Sequence, residues 1–272
     1  MNNQTLHGKV AVITGSSRGI GKAIAIELAE KGASIVLNGR SHSRLEDTEN
    51  EIRKIQPELI SVCCDVSTIQ GGQCLIDEAI KKFGKIDILV NNVGVSMRGK
   101  LADLNPEVYK TILDSNVLSV VYPSIPAIRH LRETKGSIIF ISSLAGIRGL
   151  PGMSAYCSAK MALRALAESI RIEEAKYKLH VGLIYVGYTE IDVGKETIYQ
   201  DGTKTLLEPR KGRGAQTTVF VAKAVVRNIM NRNFLTVLTA IGKLNLFLQA
   251  RFPMLVERIL LKNIKKFESY LN

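Results

Sequence analysis

The chain has 272 residues, 46% of them hydrophobic, with a mean hydropathy of +0.09 and a formal net charge of +12. These values describe a globular chain long enough for one α/β domain with a large core. Four cysteines (Cys63, Cys64, Cys74, Cys157) lack paired metal-ligand spacing and the four histidines are scattered, which argues against a metal centre and for reduced thiols in the cytoplasm. The opening "MNNQTLHGKVAVITG" has no long apolar run ahead of a cleavage site, so no signal peptide is expected.

In chain order, a strand over Val10–Thr14 leads through a glycine turn into a helix over 19–31. The stretch "VAVITGSSRGIGKAIAIELAEKGA" places Gly15, Gly19 and Gly21 in the pattern T-G-x-x-x-G-x-G. Such glycines let a chain turn tightly against a pyrophosphate whose charge meets the next helix's N-terminus, although a tight turn without a ligand would read the same way locally. A second strand over Ser34–Asn38 ends at Gly39 and Arg40, where NAD-binding proteins place an acid for the ribose 2′-OH. Here Arg40, with Arg18 in the glycine turn, suits a 2′-phosphate and favours NADP(H) over NAD(H).

Helix 43–55, strand Leu59–Cys64, helix 68–83, strand Ile86–Asn91 and helix 106–133 follow. Then come strand Ser137–Ser142, helix 155–177, strand Val181–Val186, helix 217–231 and strand Phe234–Thr239. Alternation of this kind, with runs rich in Val and Ile, predicts a parallel sheet covered on both faces. No repeat or linker divides the chain, so residues 1–272 read as a single domain. The segment 188–218 has four glycines and weak periodicity, and is expected to be an irregular substrate lid. In helix 155–177, Tyr156 and Lys160 stand four residues apart and therefore on one face, a spacing that proves nothing alone.

Residues 204–272 hold thirteen Lys and Arg against three Glu, so +10 of the +12 lies there. The extension over 240–272 is helical in pattern and interrupted at Pro253; in the tail from Phe234 the longest uncharged run, Phe234–Gly242, is too short to cross a bilayer. Its mixture of apolar and basic residues suits peripheral contact with an anionic membrane surface, or a helix packed on the domain or on a second subunit. No recognition motif supports nucleic acid as a partner.

The chain resembles the short-chain dehydrogenase/reductase family over nearly its whole length. The resemblance rests on T-G-S-S-R-G-I-G (14–21), C-D-V (64–66), N-N-V-G (91–94), Asn116, I-S-S (141–143) and Y-C-S-A-K (156–160). Ser143 precedes Tyr156 by thirteen residues, the spacing that family uses. The resemblance implies a single Rossmann-like, doubly wound parallel sheet of about seven strands and a homodimer or homotetramer. It implies that Tyr156 exchanges a proton with a carbonyl or alcohol oxygen, its phenolate favoured by Lys160. Lys160 would also hold the nicotinamide ribose, Ser143 the substrate oxygen, and Asn116 a water linking Lys160 to solvent. The cofactor would lie against Thr14, Gly15, Ser16, Ser17, Arg18, Gly19, Ile20 and Gly21, then Gly39 and Arg40. Asp65 and Val66 would meet the adenine, and Asn92 and Gly94 the ribose side.

One departure concerns the last strand of that pattern. Val186 stands where the family commonly has proline, followed by Gly187, and Ile191 occupies the place of a threonine that meets the nicotinamide amide. Thr189, two positions early, or a backbone group is left for that role. The loops "VSMRGKL" (95–101) and "LAGIRGLPGMS" (144–154) are largely apolar, so the expected substrate is a lipophilic ketone or secondary alcohol, steroid-like, sphingoid or otherwise long-chain. A 3-oxoacyl reductase on a carrier-linked chain, or a non-catalytic NADP(H)-sensing scaffold, are the alternatives.

Overall fold

A computed structural model describes residues 5–190, 195–207 and 215–267. Seven strands form one parallel sheet: β1 (Val10–Ile13), β2 (Ser34–Gly39), β3 (Leu59–Cys63), β4 (Ile88–Asn91), β6 (Ser137–Ser143), β7 (His180–Val186) and β10 (Leu235–Val237). Their order across the sheet is β10-β7-β6-β4-β1-β2-β3, with chain direction reversing its progress between β1 and β4. All seven expected strands are present. The fold is a Rossmann-like α/β sheet flanked by helices.

The strands are apolar on both faces, as a sheet sandwiched between two helix layers requires. Ala11 and Ile13 of β1 join a core with α1 (Gly19–Glu30) and α7 (Thr218–Asn231), while Val10 and Val12 face the other way. That second core is closed by α3 (Ile69–Phe83), α5 (Ser119–Thr134) and α6 (Ser154–Glu173). The remaining helices are α2 (His42–Arg53), α4 (Pro106–Leu113), α8 (Ala240–Arg251) and α9 (Pro253–Lys262).

One expectation gains detail and one needs correction. The helix expected over 106–133 is present without a break but is not regular: α4 passes through a π-helical turn, Asp114–Leu118, into α5. Asn116 in that turn donates to the carbonyl of Ile112 at 3.0 Å, a side-chain bond that competes with the regular backbone ladder. The segment 188–218 is also not irregular throughout. It contributes β8 (Glu196–Tyr199) and β9 (Lys204–Leu206) to a second sheet with β5 (Ser96–Arg98), in the order β5-β8-β9. Ser96 pairs with Thr197 across that sheet, a contact about a hundred residues apart in sequence that local periodicity does not carry.

The glycine turn is closely packed. A Cβ on Gly21 would lie 2.3 Å from the carbonyl oxygen of Gly15, so α1 approaches β1 as only glycine allows. Gly21→Ala is expected to cost about 1–3 kcal/mol by overpacking, read as a fall of several degrees in the thermal unfolding midpoint.

Candidate active site

The carboxyl end of β6 is where the site assembles. Helix α6 lies across it, with Ser142 donating to the carbonyl of Lys160 at 3.1 Å and Lys160 Nζ donating to the carbonyl of Ile141 at 3.2 Å. Lys160 is only 4% exposed. One turn earlier on the same helix face is Tyr156, whose ring centroid lies 5.8 Å from Lys160 Nζ. Ser143 is the last residue of β6, two beyond the carbonyl that receives Lys160, and its hydroxyl accepts from the Ala145 amide at 3.2 Å.

Asn116 reaches the same place from the π-helical turn. Its amide donates to Val95 O at 2.9 Å and to Ile112 O, while its buried Oδ1 has no partner among the described residues. A Cβ on Gly94 would lie 2.5 Å from that oxygen and 3.0 Å from Lys160 Nζ. The amine and the orphaned acceptor are therefore no more than about 5.5 Å apart, within reach of one bridging water. Tyr156 rests on an apolar cluster of Met97, Val108, Ile112 and Ile198, which joins β5, α4 and β8 to the start of α6.

Burial, with a smaller contribution from the charge of Lys195 near the start of β8, lowers the Lys160 pKa from its ordinary 10.5 to about 7. Below about pH 7 the folded chain carries a buried ammonium and its cost is fully felt. From there toward 10.5 only the unfolded chain takes up the proton, and the cost is relieved. Urea unfolding should show the stability of the parent rising with pH relative to Lys160→Met between pH 7 and 9.

The nucleotide end forms at β1, β2 and β4. Gly15 and Gly19 turn the chain through left-handed backbone, with φ of +60° and +59°. Thr14 is fully buried; its hydroxyl accepts from the Asn92 amide at 2.9 Å, and the Asn92 side chain donates to the carbonyls of Thr14 and Gly15, both at 3.1 Å. Ser16 is tied to Asn38 by backbone and side chain, and Ser17 O accepts from Thr48. Arg18 is the N-cap residue of α1 and half-buried, and Ile20 packs against the core.

Gly39 backs onto Ser17 at the end of β2, and Arg40 beyond it pairs with Asp65 at 3.5 Å in an exposed contact. Burial pulls the Asp65 pKa upward, but hydrogen bonds from Ser67 and the Arg40 guanidinium outweigh it, and the carboxyl sits below its ordinary value. Val66 is buried. At the end of β7, Gly187 lies against Thr239, and Thr189 donates to Gly187 O and bridges to Gln216. Ile191 lies outside the described residues.

Two contributors were not singled out from the sequence. Asn38 ties the glycine turn to β3: its Oδ1 accepts from Gly15 N, and its Nδ2 donates to Val62 O and Cys64 O. The signal was a polar residue inside the apolar run "SIVLNG". Lys195, the second, had no local signal. No group of His, Cys, Asp or Glu able to hold a metal occurs among the described residues.

The sequence model of the short chain dehydrogenase family matches residues 9–201. The chain belongs to that family. A 3-ketodihydrosphingosine reductase from Bos taurus is 35% identical over 243 residues, covering 84% of this chain and 70% of the relative. An 11-beta-hydroxysteroid dehydrogenase 1A from Arabidopsis thaliana is 32% identical over 241 residues, covering 85% and 68%. Among solved structures, a short chain dehydrogenase/reductase from Burkholderia phymatum in complex with NAD superposes with a TM-score of 0.81, at 24% identity over 92% of this chain and 95% of that one, which speaks to the fold alone. The protein is thus an oxidoreductase of the short-chain dehydrogenase family, a fold that binds a nicotinamide cofactor.

Proposed function

We propose that the protein interconverts a lipophilic ketone and its secondary alcohol with NADP(H). The observation that carries this is the amine of Lys160, sealed at the end of β6 beside Tyr156 and facing the orphaned Oδ1 of Asn116. A nicotinamide fits the cradle beside Gly94, where any larger residue would strike Asn116 and Lys160. When bound in its reduced form it supplies the hydride to the carbonyl carbon.

The residues handle the proton and the charge. Tyr156 gives its phenolic proton to the oxygen that becomes the alcohol, and takes one back in the reverse direction. Ser143 donates to that oxygen and stabilises its developing charge. Lys160 holds the ribose hydroxyls, and its protonated form favours the Tyr156 phenolate. Asn116 holds a water through Oδ1, by which the proton on the Lys160–Tyr156 pair is replaced from solvent. Thr14 to Gly21, Asn92 and Val66 bound the dinucleotide, with Asp65 at the adenine and Thr189 near the amide.

NADP(H) is favoured because Arg40 is 74% exposed in its side chain and tied only through a surface contact at 3.5 Å. Such pairs contribute about 0–1 kcal/mol, so the guanidinium can turn to a 2′-phosphate at small cost. A lipophilic substrate is supported by the apolar cluster under Tyr156 and by the two relatives, named for a sphingoid ketone and a hydroxysteroid. Strand β8, within the segment expected to form the lid, is read as a substrate wall, since its Ile198 belongs to that cluster.

Tyr156→Phe should lower NADPH-dependent reduction of hydrophobic ketones by at least about a thousandfold while NADPH binding changes little; parental turnover in the variant would exclude Tyr156 as the acid. Arg40→Ala should weaken NADPH binding by roughly tenfold or more with little effect on NADH, measured by fluorescence titration of both.

A further inference from the structure

We propose that α8 and α9 form a docking surface for an anionic lipid bilayer. Among the described residues twenty large apolar side chains are exposed, and nine of them fall between Ile241 and Ile264. They include Ile241 at 73%, Met254 at 63%, Leu261 at 62% and Phe247 at 56% exposure. Such a concentration of exposed apolar side chains in two packed helices is not an ordinary feature of a solvated surface. Of the ten residues of α9 only Val256 is buried, and the helix packs against α8. A free helix of that length is marginal in water, so its exposed face calls for a partner.

Charge selects the partner. Lys243, Arg251, Arg258, Lys262 and Lys265 stand against Glu257 alone between residues 240 and 265, and none of the five is ion-paired among the described residues. Joining this face to a second copy across a two-fold axis would set two such cationic surfaces against each other. A bilayer carrying acidic headgroups accepts both the apolar and the basic side chains. No helix of the described residues is long and apolar enough to cross a membrane, so these helices lie along it.

The surface is fixed to the catalytic end of the sheet. Gly242 sits against Leu144, the residue after Ser143, where a Cβ would lie 2.5 Å from the leucine side chain. Leu246 packs with Val237 and Leu144 on the core. Docking through α8 and α9 thus brings the end of β6 to the lipid, where a bilayer-dissolved ketone enters without crossing water. The docking stands on the patch itself; its use in substrate delivery rests on the lipophilic reading above.

Flotation of the full chain with phosphatidylcholine vesicles, with and without phosphatidylglycerol, tests this. Binding should be at least about tenfold stronger to the anionic vesicles and should weaken as salt is raised. The triple variants Phe247→Ser/Met254→Ser/Leu261→Ser and Lys243→Glu/Arg251→Glu/Arg258→Glu should each lose at least about tenfold of that binding. Both should keep the parental unfolding midpoint and parental NADPH turnover on a small water-soluble ketone. Absence of parental binding to anionic vesicles, or variants that bind as the parent does, would overturn the proposal. So would a parent that is dimeric by light scattering and becomes monomeric in the apolar variant without any vesicle binding. Loss of soluble-ketone turnover in the parent would instead count against the oxidoreductase reading of the site and leave the flotation result standing.

Discussion

The site depends on a primary amine held out of water at the end of a parallel strand. Lys160 donates to the carbonyl of Ile141, and its burial brings its pKa close to neutrality. Three neighbours are shaped around that amine. Gly94 is small because anything larger collides with it; Asn116 is brought there by a π-helical turn; and Ser142 clamps the backbone of the same lysine. An amine so placed gains from any negative charge that arrives beside it, whether a phenolate or a bound anionic cofactor.

The nucleotide end is held differently. Its backbone groups are satisfied by asparagines rather than by a charge: Asn38 joins β2 and β3 to the glycine turn, and Asn92 joins β4 to it. These buried bonds make the turn rigid before any ligand arrives. The charged contact there between Arg40 and Asp65 is on the surface and easily exchanged. The two ends meet at Gly94, directly after the N-N-V run that follows β4.

The seven-stranded sheet was legible because its central strands are apolar on both faces and alternate with helical stretches. Tyr156 and Lys160 were legible through their spacing together with the family's motifs. Other features depend on distant pairings. The β5-β8-β9 sheet consists of strands of three or four residues joined across a hundred positions, and nothing in the local sequence marks them. The π-helical turn sits within an otherwise continuous helical pattern, with side-chain bonds from Ser119 to one of its carbonyls and from Asn116 to that of Ile112. The tail reads as helix interrupted at Pro253, and α8 and α9 are there; whether its apolar residues pack inward or face outward is not carried by the pattern, and in α9 all but Val256 and Leu260 are exposed.

The small sheet has a consequence for how this protein diverges from its relatives. Strand β8 is anchored to β5 by main-chain pairing, with the Ser96–Thr197 side-chain bond and Ile198 in the cluster under Tyr156 adding to it. Exposed Glu196 and half-buried Tyr199 can therefore be exchanged while the strand keeps its place beside Tyr156. On the proposed reading of the site, acceptance of new carbonyl compounds can then evolve at those positions, while the residues proposed to handle the proton stay under their own separate constraint.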